Sequence, residues 1–316
     1  MSPQEVIKDF GADVLRLWVF STRYGEDVRI SKEILERTSD AYRKIRNTLK
    51  YLLGNLYDFK PEQAVAYRQM LEVDRWALLK LAALIREVTE AMERFEFHRA
   101  SQALHQFCVI EMSSFYLDLL KDRLYTFSAD SQKRRSGQTA LHHIFSSLCS
   151  LLAPVLSFTA EEAYRSYVGK ERSIHLGPWP KGDRSWEDPE LEKKWGKLLQ
   201  VREAALKAIE TARQQGLCGS SLEVKISLRV KKGDSWSWLA SYEETLVSIL
   251  IVSEVSVTET EGLPEGTETA FPVSISVEKA QGKKCQRCWN WRRSVGNSRD
   301  FPDLCDRCLD VVSVLS

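Results

Sequence analysis

No stretch of this chain approaches the run of about 18–20 apolar residues that a membrane-spanning helix needs, so no membrane partner is expected. The opening residues, Met1-Ser2-Pro3-Gln4-Glu5, lack the basic and apolar regions of a secretory signal and the Arg/Ser-rich, acid-poor character of an organelle transit peptide. An excess of one charge is missing too. With 45 basic and 44 acidic residues the net charge is +1, so any nucleic-acid binding must rest on local patches and not on a general basic field. A disulfide framework is also missing. Four of the seven cysteines sit in two C-x-x-C units, while Cys108, Cys149 and Cys218 stand alone. An odd count with paired pairs points to a reducing compartment and metal thiolates. Internal repeats and low-complexity tracts are absent.

What remains is a soluble globular pattern, 316 residues long, enough for about two domains. Residues 1 to about 168 read as helical. Over 31–57 the apolar residues Ile34, Leu35, Tyr42, Ile45, Leu49, Leu52, Leu53 and Leu56 recur at three- and four-residue steps, the signature of one helix face, with Ser31 as N-cap. Further helices are expected over about 73–95, 97–121 and 136–152, ending near Pro154, and over about 159–167, where Glu161 and Glu162 suit a first turn. Short connections between amphipathic helices make a bundle. Gly177-Pro178-Trp179-Pro180-Lys181-Gly182-Asp183 is the strongest linker signal. Beyond it, 188–215 reads as a long helix. The period then turns to two at Val224, Ile226, Leu228 and Val230, a half-buried strand. Ser235 to about Leu250 reads as a helix, Val255–Val257 and Val273–Val277 as strands, and Gly262–Thr269 as an acidic loop. The expected architecture is mainly α: a helical bundle, a small α/β subdomain and a cysteine-rich end.

That end is Cys285-x2-Cys288-x16-Cys305-x2-Cys308, within the spacing of a four-cysteine zinc site. Each C-x-x-C turn aims two sulfurs at one point, and two turns supply a tetrahedron with Zn–S distances of about 2.3 Å. Four protein ligands leave no open position, so one structural Zn2+ is expected, and its binding supplies folding energy that so short a segment lacks. Two redox pairs are the competing reading, but such pairs rarely come in twos at this spacing. Between Gln281 and Arg299 stand six basic residues and no acid, with Trp289 and Trp291 among them. An aromatic held on a knuckle is a stacking platform for bases, and the flanking cations suit phosphates. Alternatively, the tryptophans pack the small core and the cations offset a zinc–thiolate charge of about −2. The run from Cys285 to Arg293 favours RNA and nominates Arg287, Trp289, Arg292 and Arg293.

Several segments, taken in order, resemble a known family. Gly11-Ala12-Asp13-Val14-Leu15-Arg16-Leu17-Trp18-Val19 and Asp27-Val28-Arg29-Ile30-Ser31 resemble the segments just after the K-M-S-K-S loop in class I aminoacyl-tRNA synthetases for branched aliphatic amino acids. Arg43 to Leu56, Ser114 to Asp118 with Lys121 to Tyr125, Leu152 to Leu156 with Thr159 to Glu162, and Ser173 to Leu176 with Trp179-Pro180 are similar to that family's anticodon domain. Val201 to Ala204 and Gly219 to Glu223 resemble its C-terminal junction, and the closing C-x-x-C-W…C-x-x-C resembles the finger of the bacterial-type isoleucyl-tRNA synthetases. The resemblance covers nearly the whole chain. H-I-G-H and K-M-S-K-S are missing, and His175-Leu176-Gly177-Pro178 lacks the second histidine.

The resemblance implies a C-terminal part of such a synthetase, divided as 1–30 connecting segment, 31–180 anticodon-binding bundle, 181–280 junction helix and α/β subdomain, and 281–316 zinc finger. It implies tRNA(Ile) as partner, together with the missing catalytic and editing domains, which alone would use ATP and Mg2+. The chain by itself is expected to be inactive and monomeric, in a bacterial cytoplasm, although a mitochondrial matrix is compatible. Candidate RNA contacts are Arg43, Lys44, Arg46, Asn47 and Lys50. Of these, Arg43, Asn47 and Lys50 share one helix face. Lys121 and Arg123 are further candidates, as are Lys133, Arg134 and Arg135; a merely solvated charged face is the bland alternative for all of them. His98, His105, His142 and His143 read as ordinary core or surface histidines. The alternative function is a zinc-containing helical module that docks another protein.

Overall fold

The computed structural model of the chain describes residues 2–25, 27–262 and 271–314. They fall into two units, Met1–Leu120 with Ala129–Asp188, and Lys121–Ser128 with Pro189–Ser316. Among the described residues no helix is long and apolar enough to cross a membrane. The mainly α expectation holds.

In the first unit, α1 (Pro3–Phe10) starts where local chemistry permits. Pro3 needs no amide partner at the first helical position, and Ser2 and Glu5 exchange hydrogen bonds of 3.3 and 2.8 Å. α2 (Ala12–Ser21) follows after Gly11. α3 (Lys32–Gly54) begins at Ser31, whose Oγ accepts the Ile34 N–H at 3.3 Å, and buries Leu35, Ile45, Leu49 and Leu52 along the expected stripe. It stops at Gly54, short of the expected 57. α4 (Glu72–Glu93) is buried over most of its length, with Trp76 edge-on to Phe115 at 5.1 Å.

The single helix expected over 97–121 is three pieces. These are α5 (Phe97–Gln106), a π-helical stretch over Phe107–Tyr116, and α6 (Leu117–Thr126), whose residues from Lys121 onward belong to the second unit. Hydroxyls absorb the widened turn: Ser113 Oγ and Thr48 Oγ1 donate to the Cys108 carbonyl at 2.8 and 3.4 Å. Apolar periodicity over so short a span cannot separate a 3.6-residue turn from a wider one, so the sequence pattern runs straight through it.

α7 (Gln132–Leu152) buries Leu141, Ile144, Phe145 and Leu148 completely. Each such side chain contributes roughly 1.5–3 kcal/mol. α8 (Ser157–Val168) begins two residues before the expected Thr159 and has no capping side chain of its own. Its cap comes from α2. The buried Asp13 carboxylate accepts from the Thr159 N–H at 2.8 Å, the Thr159 Oγ1–H at 2.6 Å and the Phe158 N–H at 3.4 Å. One turn along α2, Arg16 donates to the Pro154 and Val155 carbonyls of the α7–α8 connection at 2.7 and 2.8 Å. Two segments far apart in sequence, Gly11–Val19 and Leu152–Glu162, are therefore two halves of one joint.

Glu161 and Glu162 lie beyond the first turn of α8, not in it. Glu161 accepts from the Ile174 N–H and Ser173 Oγ, and Glu162 pairs with Arg46. Deeper inside, Asp74 accepts from Tyr116 Oη at 2.8 Å and Ser136 Oγ at 2.5 Å, and Asp58 takes both arms of Arg134 at 2.6 and 3.1 Å. Phe59, His142, His143, Tyr167 and Trp186 form a chain of ring contacts.

In the second unit, α9 (Pro189–Gln214) buries Leu191, Trp195, Leu198, Val201 and Ile209. It closes on Gly216 at φ +74°, where the Gly216 and Leu217 amides return to the Arg213 and Ala212 carbonyls. β1 (Val224–Lys231) hides Val224, Ile226, Leu228 and Val230, as its period of two demanded. The helix expected over Ser235–Leu250 is α10 (Asp234–Ala240) and α11 (Glu243–Leu250). β2 (Glu254–Thr260) pairs parallel to β1, with Ile226 opposite Val255, and β3 (Val273–Lys279) pairs antiparallel on the other side, giving the order β2-β1-β3. The acidic loop expected over Gly262–Thr269 lies, except for Gly262, outside the described residues.

Candidate metal centre and nucleic-acid surface

β4 (Lys283–Lys284) and β5 (Trp291–Arg292) form a two-residue antiparallel ribbon, with Lys283 opposite Arg292 and Lys284 opposite Trp291. Its closeness depends on Gly282 at φ +95°. A Cβ there would stand 2.3 Å from the Arg292 carbonyl. The first C-x-x-C unit is the turn of this ribbon. The Cys285 amide donates to the Asn290 carbonyl at 2.9 Å, and the Trp289 amide returns to the Cys285 carbonyl at 2.9 Å. Trp289 itself sits at φ +64°, a left-handed conformation that costs a bulky side chain free energy and aims the indole outward. The second unit opens α12 (Asp306–Ser313), with Cys305 as N-cap and its amide 3.4 Å from Cys285 Sγ. The Gln286 amide donates to the Asp303 carbonyl at 3.0 Å and ties the two turns together.

All four thiols are buried, and their sulfurs lie within 4.8 Å of one another. A tetrahedron with arms of about 2.3 Å has edges of about 3.8 Å. The Cys288 and Cys305 sulfurs are 3.8 Å apart, a fit to shared ligation and far longer than a disulfide bond. Crowding drives the thiols in opposite directions: a hydrogen bond with Cys308 draws Cys288 down to about 4, while burial pushes Cys305 up to about 11. Four buried sulfurs gathered at this spacing are the donor set of a structural zinc, which would hold them as thiolates.

Around this centre the nominated side chains take different roles. Trp289 is 60% exposed, with Lys284 Nζ 5.6 Å from its ring centroid, so the knuckle presents an aromatic face with a cation beside it. Arg293 is exposed and reaches Gln281, while Arg292 is half-buried. A hollow of about 450 Å³ is lined by Arg292, Arg293, Ser294, Cys305, Asp306 and Arg307. Arg287 is half-buried and donates to the Thr126 carbonyl, a structural use the sequence did not suggest.

On α3 the five nominated residues Arg43, Lys44, Arg46, Asn47 and Lys50 are all exposed. Arg43 pairs with Asp40 and Arg46 with Glu162, while Lys44 and Lys50 make no ion pair among the described residues. Lys121 is exposed, but Arg123 is only 8% exposed, and a buried guanidinium cannot track phosphates. Arg134 is likewise closed off at 5% exposure by Asp58. Sequence reasoning missed Arg307, Asp122 and Gly282. The signal for the first lay in the repeated form of the knuckles, Cys285-Gln286-Arg287-Cys288 and Cys305-Asp306-Arg307-Cys308.

Residues 282–311 match the zinc finger found in FPG and IleRS, and residues 74–228 match the anticodon-binding domain of tRNA ligase. The isoleucine--tRNA ligase of Syntrophotalea carbinolica is 47% identical over 99% of this chain and 34% of its own length. The chain is similar over nearly its whole length to isoleucine--tRNA ligases. The enzyme of the same name from Carboxydothermus hydrogenoformans is 46% identical over 100% of this chain and 34% of its own. The chain thus spans about a third of the length of these relatives and corresponds to their C-terminal part. A solved LeuRS–tRNA–LeuAMS ternary complex of Agrobacterium radiobacter K84 overlaps 74% of this chain and 23% of its own, with 17% identity and a TM-score of 0.46. The anticodon-domain match begins at Asp74, so α3 and its nominated cations precede it.

Proposed function

We propose that this chain recognises tRNA(Ile) through its anticodon stem-loop, as the recognition part of an isoleucine--tRNA ligase whose catalytic and editing residues lie outside it. Activation of isoleucine with ATP and Mg2+, and its transfer to tRNA, belong to those other residues. The observation that carries this reading is near-complete coverage, at 47% identity, by a protein named for that ligation, combined with an anticodon-binding domain match. The chemistry of the surface supports it. Exposed Lys44, Asn47 and Lys50 on α3 suit a phosphate backbone, with Arg43 and Arg46 beside them. Trp289 offers an unpaired base a stacking face, and Lys284, Arg292 and Arg293 offer counter-charge. Cys285, Cys288, Cys305 and Cys308 hold one structural Zn2+, which supplies the folding energy of the knuckle and so fixes Trp289 in place. A monomer in a bacterial cytoplasm fits the reading.

The test is binding of the chain to the tRNA(Ile) anticodon stem-loop and to an unrelated hairpin across a salt series. Tighter binding to the cognate loop, with affinity falling linearly in log salt, is expected. Equal affinity for both hairpins with a slope near zero would sink the reading and leave a protein-docking module in its place.

A further inference from the structure

We propose that Arg287 and Arg307, the third residue of each C-x-x-C unit, are positioning residues that fasten the metal centre to residues 121–128, making zinc binding and the order of that segment one equilibrium. Both partners lie within the second unit. Arg307 places its two arms on the two oxygens of Asp122 at 2.6 and 2.7 Å, a fork-to-fork pair 185 residues apart in sequence. The same guanidinium is 3.3 Å from Thr126 Oγ1 and 5.0 Å from the Phe127 ring centroid. Arg287 donates to the Thr126 carbonyl, one of the last four carbonyls of α6, which have no partner within the helix. Thr126 Oγ1 in turn hydrogen-bonds to Asp122 at 3.0 Å, so both arginines close on one cluster of acceptors.

The repetition matters more than either contact alone. Two turns that share little beyond their cysteines each carry arginine at the same place, and both arginines face the same eight residues. That place is next to a ligand, so the orientation of each arginine is set only once the sulfurs are gathered. Without metal the two turns keep only a few hydrogen bonds between them, too little to hold so small a knuckle, and both anchors to 121–128 weaken with the turn geometry. By reciprocity, anything that loosens Asp122 weakens the metal site. An arginine so engaged has its donors directed inward, and Arg287 thereby leaves the set of RNA contacts.

The proposal rests on the knuckle's holding zinc, and its test involves no RNA. Zinc affinity of the whole chain is measured by competition with a chromogenic chelator, and hydrogen exchange is followed at the amides of 121–128. Asp122→Asn and Arg307→Met should each weaken zinc binding by about tenfold, the low end for groups around a metal site, because each unfastens the residue next to Cys308. The double variant should lose little more than either single one, because both remove the same contact. Arg307→Lys, which keeps the charge without the fork, should fall between. Chelation should raise exchange over 121–128 in the parent. If Arg307→Met fails to fold, Asp122→Asn carries the test, since Asp122 is far in sequence from every cysteine of the knuckle. A zinc-loaded parent whose Asp122→Asn variant keeps zinc affinity within about twofold, or whose 121–128 amides ignore chelation, overturns the clamp alone. A parent that binds no zinc overturns the clamp and the zinc assignment together.

Discussion

The helical bundle and the cysteine knuckle reach order by opposite means. In the first unit whole side chains such as Leu141, Ile144, Phe145 and Leu148 are sealed from water, and interior polar groups are matched: Asp74 to Tyr116 and Ser136, Asp58 to Arg134 and Gln138. In the knuckle the buried cluster is the four cysteines and Val295, with Leu304 half-covering it. A core that small cannot offset the conformational entropy of some thirty residues. The bundle's order is therefore intrinsic, and the knuckle's is conditional on a ligand. Removing metal should part the two regions more completely than any change inside the bundle.

The largest effect expected is that of Cys305→Ser. It deletes one of four sulfurs, and elemental analysis should show zinc lost. Amide protection should disappear over about residues 282–314, while the bundle melts as before. Unchanged metal content would contradict the four-thiolate assignment, and a bundle that melts with the knuckle would erase the contrast between the regions.

A change on the other side of the contrast should be smaller. Asp13→Ala removes the remote cap of α8 and leaves the Thr159 amide without its acceptor. The expected cost is about 1–2 kcal/mol, read as a lower denaturant midpoint for the zinc-free chain, with zinc content unchanged when metal is restored. An unmoved midpoint would mean that Asp13 holds no part of the joint.

Acid should blur the contrast that chelation sharpens. Burial, with His143 beside it, lowers His142 from 6.5 to about 4 in the folded chain. Between those values the unfolded chain takes up a proton that the folded chain refuses, so stability falls as pH falls through that window. Burial also lowers His143, adding to the same slope. For Asp58, burial alone would raise the carboxyl, but hydrogen bonds from Arg134 and Gln138 hold it below its usual 3.8. Its contribution is complete above that value and is lost as pH falls through the lower folded one. Melting temperatures of the zinc-free chain should therefore decline from about pH 6.5 downward, and His142→Gln should flatten the decline. A melt indifferent to pH between about 6.5 and 4.5 would refute the buried-histidine account. The knuckle loses zinc over an acid range as well, because its ligands must be deprotonated.

The two regions also differ in how far they can be read from sequence. The stripes of α3 and α7, the alternation of β1 and the spacing of the cysteines are local patterns, each fixed by a turn or pleat of known period. What was not legible depends on residues brought together from afar. The π-helical stretch needed Thr48 and Ser113 to take up the Cys108 carbonyl, and the start of α8 needed Asp13 from another helix. The uses of Arg123, Arg134 and Arg287 depended on which partners lay within reach, and charge alone could not tell a phosphate contact from an interior one. At the metal centre the ligands were plain in the sequence, and the outer arginines were visible only as an unexplained repeat.

The smallest effect proposed separates charge on α3 from stacking on the knuckle. Lys50 is exposed on α3 with no ion pair among the described residues, so it suits a phosphate. Lys50→Ala should lower the salt slope of tRNA(Ile) binding by about 0.7–0.9, the share of one phosphate contact, and weaken cognate and unrelated RNA alike. Trp289→Ala removes no charge. It should leave that slope in place and reduce affinity only where a base can stack, with zinc still bound. Titrations at three or more salt concentrations distinguish the two. If Lys50→Ala leaves the slope unchanged, the cations of α3 are a solvated face, and RNA recognition rests on the knuckle and on the helices from Asp74 onward.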